Sequence, residues 1–360
     1  MEKKIAIVHD WLIDMGGAEQ VIVNFKKIYP QAPIYTLLCN EERLVDDLKE
    51  TNIHTSFLQK KKKITDHKKY FPLMPLAFEN FDLNEYDIIL SSSSCCAKGV
   101  LTKPESIHIC YCHTPMRYAW DQREQYLENT KGIKRKLIKF LLHYMRMWDY
   151  ISANRVDYFI ANSTEVQKRI KKHYGRDSIV INPPVRCKLF DISQNDGDYY
   201  LVLSRLVKYK RYDLAVKACN ELNKKLVIIG EGPEKEKLQS IANENVTFLG
   251  RQPDEVVKKY MSECKALIFP GKEDFGIVPV EAQASGRPVI AFGEGGVLDS
   301  VIPNKTGVFF YEQTVESLKE AIKKFENMKF DKNEIRKHAL EFDESIFQQK
   351  MKQYIEKVSK

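Results

Sequence analysis

Short apolar runs alternate with helical patterns along almost the whole chain, and no other feature of the sequence restricts the fold as strongly. Continuous apolar runs bounded by polar residues are typical of strands that are buried on both faces of a parallel sheet. Their alternation with helices predicts an α/β protein built on doubly wound parallel sheets. The strand candidates are residues 5–10, 34–38, 53–57, 86–90, 107–111, 158–161, 179–181, 199–203, 226–229, 246–250, 266–269, 288–291 and 307–310.

The length of 360 residues predicts two domains, because a domain typically has ~150 residues. The tandem prolines Pro183 and Pro184 restrict the backbone and resist helix formation, which suits a domain crossing. We therefore predict a first domain over residues 1–184 and a second over 185–340. A helix is predicted from residue 342 to residue 360.

Composition restricts the class and the compartment. The hydrophobic content of 43% and the charged content of 29% are ordinary for a soluble globular protein, and no apolar run reaches the ~18 residues of a membrane span. The first ten residues predict a strand and no signal peptide. Eight cysteines without a secretory signal then predict reduced thiols in a cytoplasmic protein, buried as small apolar residues. The net charge of +8 favours an anionic partner: nucleotide, lipid pyrophosphate, membrane surface or nucleic acid.

The stretch from Phe269 to Pro288 has the order strand, loop, helix, with the helix predicted to begin near Pro279 and to stop at Gly286. Free backbone N–H groups and the positive end of the helix dipole make such a helix start a site for anions. Glu273 and Glu281 frame it, and an ionised carboxylate can accept from two neighbouring hydroxyls at once. The alternative is a solvated helix start that favours acids.

The segment from Glu273 to Glu281 closely resembles the Glu–seven–Glu signature of family-4 retaining glycosyltransferases of the GT-B fold. That resemblance implies two Rossmann-like domains facing across a cleft. The N-terminal domain would bind the acceptor and the C-terminal domain the nucleotide-sugar donor. The segment 341–360 would return to the first domain.

The same resemblance assigns roles in the donor loop. Glu273 would hold hydroxyls of the donor sugar, and Glu281 the ribose hydroxyls of the nucleotide. Phe275, Gly276 and Ile277 would belong to the loop and helix start that carry backbone N–H groups to the sugar and diphosphate.

Arg205 and Lys210 match the Arg and Lys of the family's Gly-Arg-Leu-x-x-x-Lys-Gly run at the same separation, although Ser204 and Arg211 replace its two glycines. In the family these cations clasp the donor diphosphate. The chemistry agrees, because cations there neutralise the charge that grows on the leaving group. A surface charge run is the alternative.

Glycine loops add further donor-side candidates. Gly16 and Gly17 stand at a strand-to-helix turn where the family faces the donor phosphates, and Gly230 and Gly232 match its Gly-x-Gly-Pro loop near the base. Arg251 follows the next strand, whose loop encloses the base in the family.

His113 falls at the carboxyl end of a predicted strand, where open parallel sheets bind ligands. The run around it, from His-Thr-Pro to Arg-Tyr-x-Trp-Asp, resembles a subgroup of these transferases that often use GDP-mannose. His113 would then touch the donor sugar near the reacting carbon. The acceptor-side candidates are Arg117, Tyr118, Trp120 and Asp121. A packed aromatic loop explains those four equally well.

Two basic segments suit a lipid headgroup surface. The lysines at 60–63 precede residues 68–75, where two further lysines stand beside apolar residues. The predicted helix 133–154 is amphipathic. One face carries Leu137, Leu141, Met145 and Trp148, and another carries Arg135, Lys139, His143 and Arg146. A core-packed helix with a solvated outer face is the alternative. No known nucleic-acid-binding module is present, so we expect no nucleic-acid partner.

The pair Asp196 and Asp198 is an Asp-x-Asp, a pattern that holds a metal in another glycosyltransferase fold. Turn chemistry explains it here, and Cys95–Cys96 and Cys110–Cys112 lack the spacing of zinc ligands. We expect no metal and no cofactor.

These features together predict a retaining, metal-independent hexosyltransferase that uses a nucleoside diphosphate sugar, first of all GDP-mannose. Its acceptor would be a hydroxyl of a lipid-linked or polysaccharide glycan, at the inner face of the plasma membrane. The alternatives are a GT-B enzyme that uses a UDP- or dTDP-sugar, a non-hydrolysing sugar epimerase or a phosphorylase, and a non-enzymatic binder of anionic lipid or nucleic acid. A phosphorylase would need a pyridoxal lysine, and none can be assigned.

Overall fold

The computed structural model describes residues 3–60, 66–128 and 130–360. It divides into two compact units. Unit 1 comprises Met1–Asn182 and Phe347–Lys360, and unit 2 comprises Pro183–Ile346. The change of unit thus falls immediately before the tandem prolines, two residues from the boundary that the sequence predicts.

Unit 1 is built on a parallel sheet whose strands alternate with helices. Its strands are β1 (Ile5–His9), β2 (Ile34–Thr36), β3 (Ile53–Thr55), β4 (Ile88–Ser93), β5 (Ile107–Cys112), β6 (Tyr158–Ala161) and β7 (Ser178–Val180). Its helices are α1 (Gly17–Ile28), α2 (Asp46–Lys49), α3 (Met74–Glu79), α4 (Arg123–Leu127), α5 (Gly132–Ala153) and α6 (Thr164–Tyr174).

Unit 2 repeats the plan. Its strands are β8 (Tyr200–Leu203), β9 (Leu226–Ile229), β10 (Val246–Gly250), β11 (Leu267–Phe269), β12 (Val289–Phe292) and β13 (Gly307–Phe310). Its helices are α7 (Tyr212–Glu221), α8 (Lys235–Ser240), α9 (Asp254–Glu263), α10 (Ile277–Ala284), α11 (Val297–Ser300), α12 (Val315–Glu326) and α13 (Lys332–Ala339). The last helix, α14 (Glu344–Val358), begins in unit 2 and continues into unit 1.

The strand order places one switch point in each sheet. Within the described residues, unit 1 has the order β3-β2-β1-β4-β5-β6-β7, and unit 2 has β10-β9-β8-β11-β12-β13, with parallel pairing throughout. The order reverses between β1 and β4 and again between β8 and β11. Open α/β sheets bind ligands outside the carboxyl ends of the strands at such points.

Each sheet is buried on both faces, which explains why its strands read as continuous apolar runs. In unit 1, Val8 packs into the core on the side of α3 and α5, whereas its neighbour Ile7 packs on the side of α1. Phe347, Met351 and Ile355 of α14 belong to that second core, so the C-terminal segment packs on the first unit. In unit 2, consecutive residues such as Leu201 and Val202 also enter opposite cores.

The structure confirms the predicted GT-B class of fold, two doubly wound Rossmann-like domains, and all of the predicted strands to within a few residues. Gly286 has φ +71, the left-handed conformation expected just past a helix end. The predicted start of that helix, near Pro279, is confirmed: α10 begins at Ile277. Its third residue, Pro279, still lies in the first turn, where its missing N–H costs no hydrogen bond.

All eight cysteines are free and buried. In the part of the chain that is described, no helix combines the length and the apolar character that crossing a membrane requires. Lys61, Lys62 and Lys63 of the predicted basic run lie outside the described residues.

Unit 1 covers only part of the predicted apolar face of the long helix, now α5. Met145 and Trp148 are buried and Leu141 is half-buried, but Leu137 is 64% exposed. The helical period locates the faces of a helix but does not say how much of an apolar face the rest of the protein covers.

Candidate active site

The candidate site in unit 2 lies where β8 and β11 end. Ser204 and Arg205 follow β8, and Gly271 to Gly276 form the loop between β11 and α10. The two strands are neighbours in a parallel sheet, so the residues that follow them share the carboxyl edge at the switch point. Four predicted donor-site residues, Arg205, Lys210, Glu273 and Glu281, belong to the segments that leave this edge.

Lys210 and Glu273 form an ion pair, with 2.8 Å between Nζ and Oε1. Both side chains are mostly buried, and the Lys210 ammonium also donates to the Ser204 hydroxyl. A Cβ on Gly271 would lie 2.7 Å from Lys210 Cα, so only glycine lets these two loops approach so closely. Sequence reasoning assigned Lys210 to the diphosphate and Glu273 to the sugar, and it missed their direct contact.

Arg205 is exposed at the end of β8, in contrast to the mostly buried Lys210. Among the described residues, its guanidinium forms no ion pair. The site therefore offers one cation that is held by a carboxylate and one that is open to an incoming anion.

The N-terminus of α10 is shaped by Gly276, which has φ +88 and ψ 90. No side chain caps this helix, so its first N–H groups and the positive dipole end remain available to an anion. Phe275 is buried against Phe342, with ring centroids 5.8 Å apart, and it anchors the loop in the core. Ile277 is half-buried as the first helical residue.

Glu281 lies in the second turn of α10 and is half-buried. Burial raises the pKa of its carboxyl to about 7; the positive charge of Arg186 opposes this rise and the negative charge of Asp254 adds to it. Within the described residues its carboxylate accepts no side-chain hydrogen bond. Arg186 is thus an electrostatic partner of Glu281 that sequence reasoning did not find.

The glycines of the unit 2 loops serve close backbone packing. A Cβ on Gly230 (φ +139) would lie 1.9 Å from the Ser204 carbonyl oxygen, and one on Gly232 would lie 2.2 Å from that of Leu206. The loop after β9 therefore holds the loop after β8 in place. In the same way the Gly296 N–H donates to the Glu273 carbonyl oxygen at 2.9 Å. Arg251 is exposed just after β10.

The candidate site in unit 1 centres on His113, directly after β5. Its Nε2 lies 2.7 Å from the Ser92 hydroxyl, and His9 Nδ1 lies 3.2 Å from that same oxygen. Burial, with a smaller contribution from His9, lowers the pKa of His113 to about 3. The ring is therefore neutral at physiological pH and can exchange hydrogen bonds with sugar hydroxyls without carrying charge.

A second polar link connects this histidine cluster to the start of α1. The Gly16 N–H donates to Glu19 Oε2 at 2.9 Å, and Glu19 Oε1 lies 3.7 Å from His9 Nε2. Gly17 is the first residue of α1 and is exposed. His9, Glu19 and Ser92 were missed as site residues; their signal was their position at the carboxyl ends of β1 and β4 and in the first turn of α1.

Three of the acceptor-side candidates contact other parts of unit 1. The Tyr118 hydroxyl donates to Cys95 Sγ at 2.6 Å, and Trp120 Nε1 donates to Asp149 Oδ2 at 2.8 Å. Asp121 Oδ1 lies 3.0 Å from His173 Nε2, and a hydrogen bond from His173 together with the charge of Arg169 lowers the pKa of Asp121. These contacts favour the packed-loop interpretation for Tyr118 and Trp120. Arg117 is half-buried in the same loop.

Both carboxylates of the Asp-x-Asp, Asp196 and Asp198, form ion pairs with cationic side chains. Asp196 Oδ1 lies 2.6 Å from Arg287 Nη1 and 2.7 Å from Lys332 Nζ. Asp198 Oδ1 lies 2.5 Å from Lys265 Nζ. Both acids therefore serve electrostatic contacts within unit 2.

Two models of known protein families together match nearly the whole chain. The model of Glycosyltransferase Family 4 matches residues 15–189, and that of Glycosyl transferases group 1 matches residues 190–342. The chain is a family-4 glycosyltransferase.

Curated relatives of this glycosyltransferase include mannosyltransferases. An alpha-1,3/1,6-mannosyltransferase of Saccharomyces cerevisiae is 24% identical over 83% of this chain and 71% of its own length. A GDP-mannose-dependent alpha-(1-6)-phosphatidylinositol monomannoside mannosyltransferase of Mycolicibacterium smegmatis is 29% identical over 41% of this chain and 43% of its own length. The matched segment spans half the length of a Methanocaldococcus jannaschii glycosyltransferase that is 29% identical over 48% of this chain.

Solved structures show the same fold at lower identity. Sucrose-phosphate synthase from Thermosynechococcus elongatus aligns with a TM-score of 0.75 at 16% identity, over 99% of both chains. The Anabaena protein HepE in complex with UDP and glucose aligns with a TM-score of 0.70 at 17% identity, over 99% of this chain and 100% of that one.

Proposed function

We propose that this glycosyltransferase transfers a hexose from a nucleoside diphosphate sugar to a hydroxyl of a lipid-linked or polysaccharide acceptor, with retention of the anomeric configuration. GDP-mannose is the first candidate donor. The observation that carries the proposal is the set of Arg205, the Lys210–Glu273 ion pair and the uncapped start of α10, which belong to the segments at one switch point.

The charges of that set suit the departure of a diphosphate. As the glycosidic bond breaks, negative charge grows on the leaving phosphate, where Arg205, Lys210 and the N–H groups of α10 would stabilise it. Glu273, positioned by Lys210, would accept hydrogen bonds from sugar hydroxyls. Glu281 would do the same for the ribose.

The acceptor step would use no nucleophile of the enzyme. The acceptor hydroxyl would attack from the face that the diphosphate leaves, and a departing phosphate oxygen would take its proton. His113, neutral and hydrogen-bonded to Ser92, would hold hydroxyls near the reacting carbon. No metal would be required, because the two cations and the helix start balance the charge of the leaving group.

Mannose is favoured by the mannosyltransferases among the relatives and by the His113-Thr114-Pro115 run. The relative that acts on phosphatidylinositol monomannoside supports a lipid-linked acceptor. With such an acceptor the enzyme would work at the inner face of the plasma membrane as a peripheral protein. A UDP-sugar is the second donor class, because HepE was crystallised with UDP and glucose.

A panel of GDP-, UDP- and dTDP-sugars tests the proposal. Thermal shift of the full chain should show the largest stabilisation with GDP-mannose, since a ligand that binds only the folded state raises the midpoint. A larger shift with a UDP-sugar would reassign the donor. No shift with any sugar nucleotide would refute the proposed activity. Formation of an epimer from donor alone would favour the epimerase.

A further inference from the structure

The outer face of α5 carries an exposed apolar stripe. Ile133 is 77% exposed, Phe140 73% and Leu137 64%. Tyr144, Met147 and Ile151 continue the stripe and are exposed as well. The six residues follow one another at steps of four and three, so they lie in one line along the helix. At 1.5 Å per residue that line is about 27 Å long.

This stripe lies outside the face through which α5 packs and adjoins it at one edge. The buried residues of the helix include Leu142, Met145 and Trp148. At 100° per residue, Leu142 and Met145 point well away from the line through Phe140 and Tyr144, whereas Trp148 lies beside that line, next to Leu137. The apolar surface of the helix is therefore wider than the part that unit 1 covers.

Cations border the stripe on its other side. Lys136, Lys139 and His143 are exposed. By the helical period Lys136 lies beside the stripe, next to Met147, and His143 and Lys139 follow farther around the helix. From Lys131 to Trp148 the sequence has six Lys or Arg residues and no Asp or Glu. The first acid, Asp149, is buried in an ion pair with Lys98 and adds no charge to this surface.

Exposed apolar residues also occur beside this helix. Leu73 and Leu76 are exposed in the segment that ends in α3. Other residues of that segment, Met74 and Phe78, share a core with Met145 of α5. This apolar surface is unusual for a soluble monomer and marks an interaction site.

We propose that the α5 stripe, defined as Ile133, Leu137, Phe140, Tyr144, Met147 and Ile151, docks the protein on an anionic membrane surface. The helix lies in the plane of the interface, with the stripe among the upper acyl chains and Lys136 and Lys139 at the headgroups. A second copy of the chain is disfavoured, because two such helices would bring their cations together. This inference deepens the proposed peripheral membrane association and does not depend on which sugar is transferred.

Flotation of the full chain with lipid vesicles tests the inference without any sugar nucleotide. Vesicles of phosphatidylcholine alone are compared with vesicles that contain phosphatidylglycerol, at low and at high salt. We expect binding to the anionic vesicles, weakened by salt because the lysines are screened. Equal binding to both kinds of vesicle, or to neither, would overturn the proposal.

Two pairs of matched variants locate the surface. Leu137→Gln/Phe140→Ser should weaken partitioning at least about tenfold, since both side chains would lose apolar burial in the bilayer. Its control, Leu101→Gln/Ile179→Gln, changes two other exposed apolar residues of unit 1 and should bind like the wild type.

Lys136→Glu/Lys139→Glu should weaken binding by at least roughly thirtyfold. Its control, Lys350→Glu/Lys352→Glu, makes the same change of net charge on α14 and should bind more tightly than the α5 variant.

Thermal unfolding of each variant verifies folding, and sedimentation velocity measures its mass. Wild-type binding by Leu137→Gln/Phe140→Ser would overturn the proposal. A dimer that this variant abolishes would assign the stripe to a second copy instead. If vesicle binding fails while sugar transfer to a soluble acceptor proceeds, the docking surface is refuted and the proposed chemistry stands. If vesicle binding occurs while no sugar transfer is detected, the proposed chemistry is refuted and the docking surface stands.

Discussion

The two candidate sites lie at the same position in their sheets, but one is lined by charged groups and the other by neutral ones. In unit 2 the edge at β8 and β11 carries an exposed arginine and the Lys210–Glu273 ion pair. In unit 1 the edge at β1, β4 and β5 carries His113 and His9 joined through Ser92, and burial lowers the pKa of His113 to about 3. The doubly wound sheet thus sets the position of each site, and the residues that follow the strands determine whether the site is charged or neutral.

This difference suits different ligand groups. A diphosphate is bound by cations and N–H groups, whereas a neutral imidazole can both donate to and accept from a hydroxyl group. The following predictions test whether the charged site and the neutral site do these separate tasks.

The largest effect is expected at the charged site. Arg205→Ala should lower kcat with the donor by about 10² to 10³-fold, because a cation at the developing charge acts mainly in the transition state. Steady-state rates of nucleotide release measure it. Lys217→Ala, an exposed lysine on α7, is the control and should retain wild-type rates. Unchanged kinetics of the Arg205 variant would remove the leaving-group role.

A smaller effect, on the order of 10 to 10²-fold, is expected at the neutral site. His113→Ala should lower kcat, and Ser92→Ala should lower it less, because Ser92 only orients the ring. Since the pKa of His113 is about 3, the wild-type rate should show no titration of this histidine between pH 5 and 8. A limb near pH 6.5 that disappears in His113→Ala would show that the ring is charged during turnover.

Replacing Glu281 should weaken nucleotide binding by about tenfold, the loss expected when charge-assisted hydrogen bonds are removed. Burial raises the pKa of the Glu281 carboxyl to about 7, above the ordinary value for a glutamate. Because ribose hydroxyls would donate to the ionised form, affinity should rise as the pH increases through about 7. Calorimetry with Glu281→Gln should show weaker and pH-independent binding. The same pH slope in that variant would assign the titration elsewhere.

The smallest effect is expected from metal removal. If Arg205 and Lys210 replace a metal at the diphosphate, EDTA should leave the rate of sugar transfer unchanged. A loss of activity that Mg²⁺ or Mn²⁺ restores would contradict the metal-independent role of Arg205 and Lys210 and would show that a metal ion is needed for transfer.

Local patterns in the sequence predicted much of the fold. Ile5 to His9 and Leu226 to Ile229 are continuous apolar runs, and such runs become strands wherever both faces are buried. The candidate residues Glu273, Glu281, Arg205 and Lys210 came from a resemblance to family motifs, and each of those motifs follows a strand that the sequence predicts. Their roles stay predictions.

What only the tertiary structure decided are contacts between segments far apart in the chain. The His9–Ser92–His113 cluster joins three strands, and no local pattern places an isolated serine beside two histidines. The sequence shows the apolar residues of α5 without showing that unit 1 covers Met145 and leaves Phe140 exposed. The physical reason is that periodicity is a property of one helix or strand, whereas burial depends on which other elements pack against it.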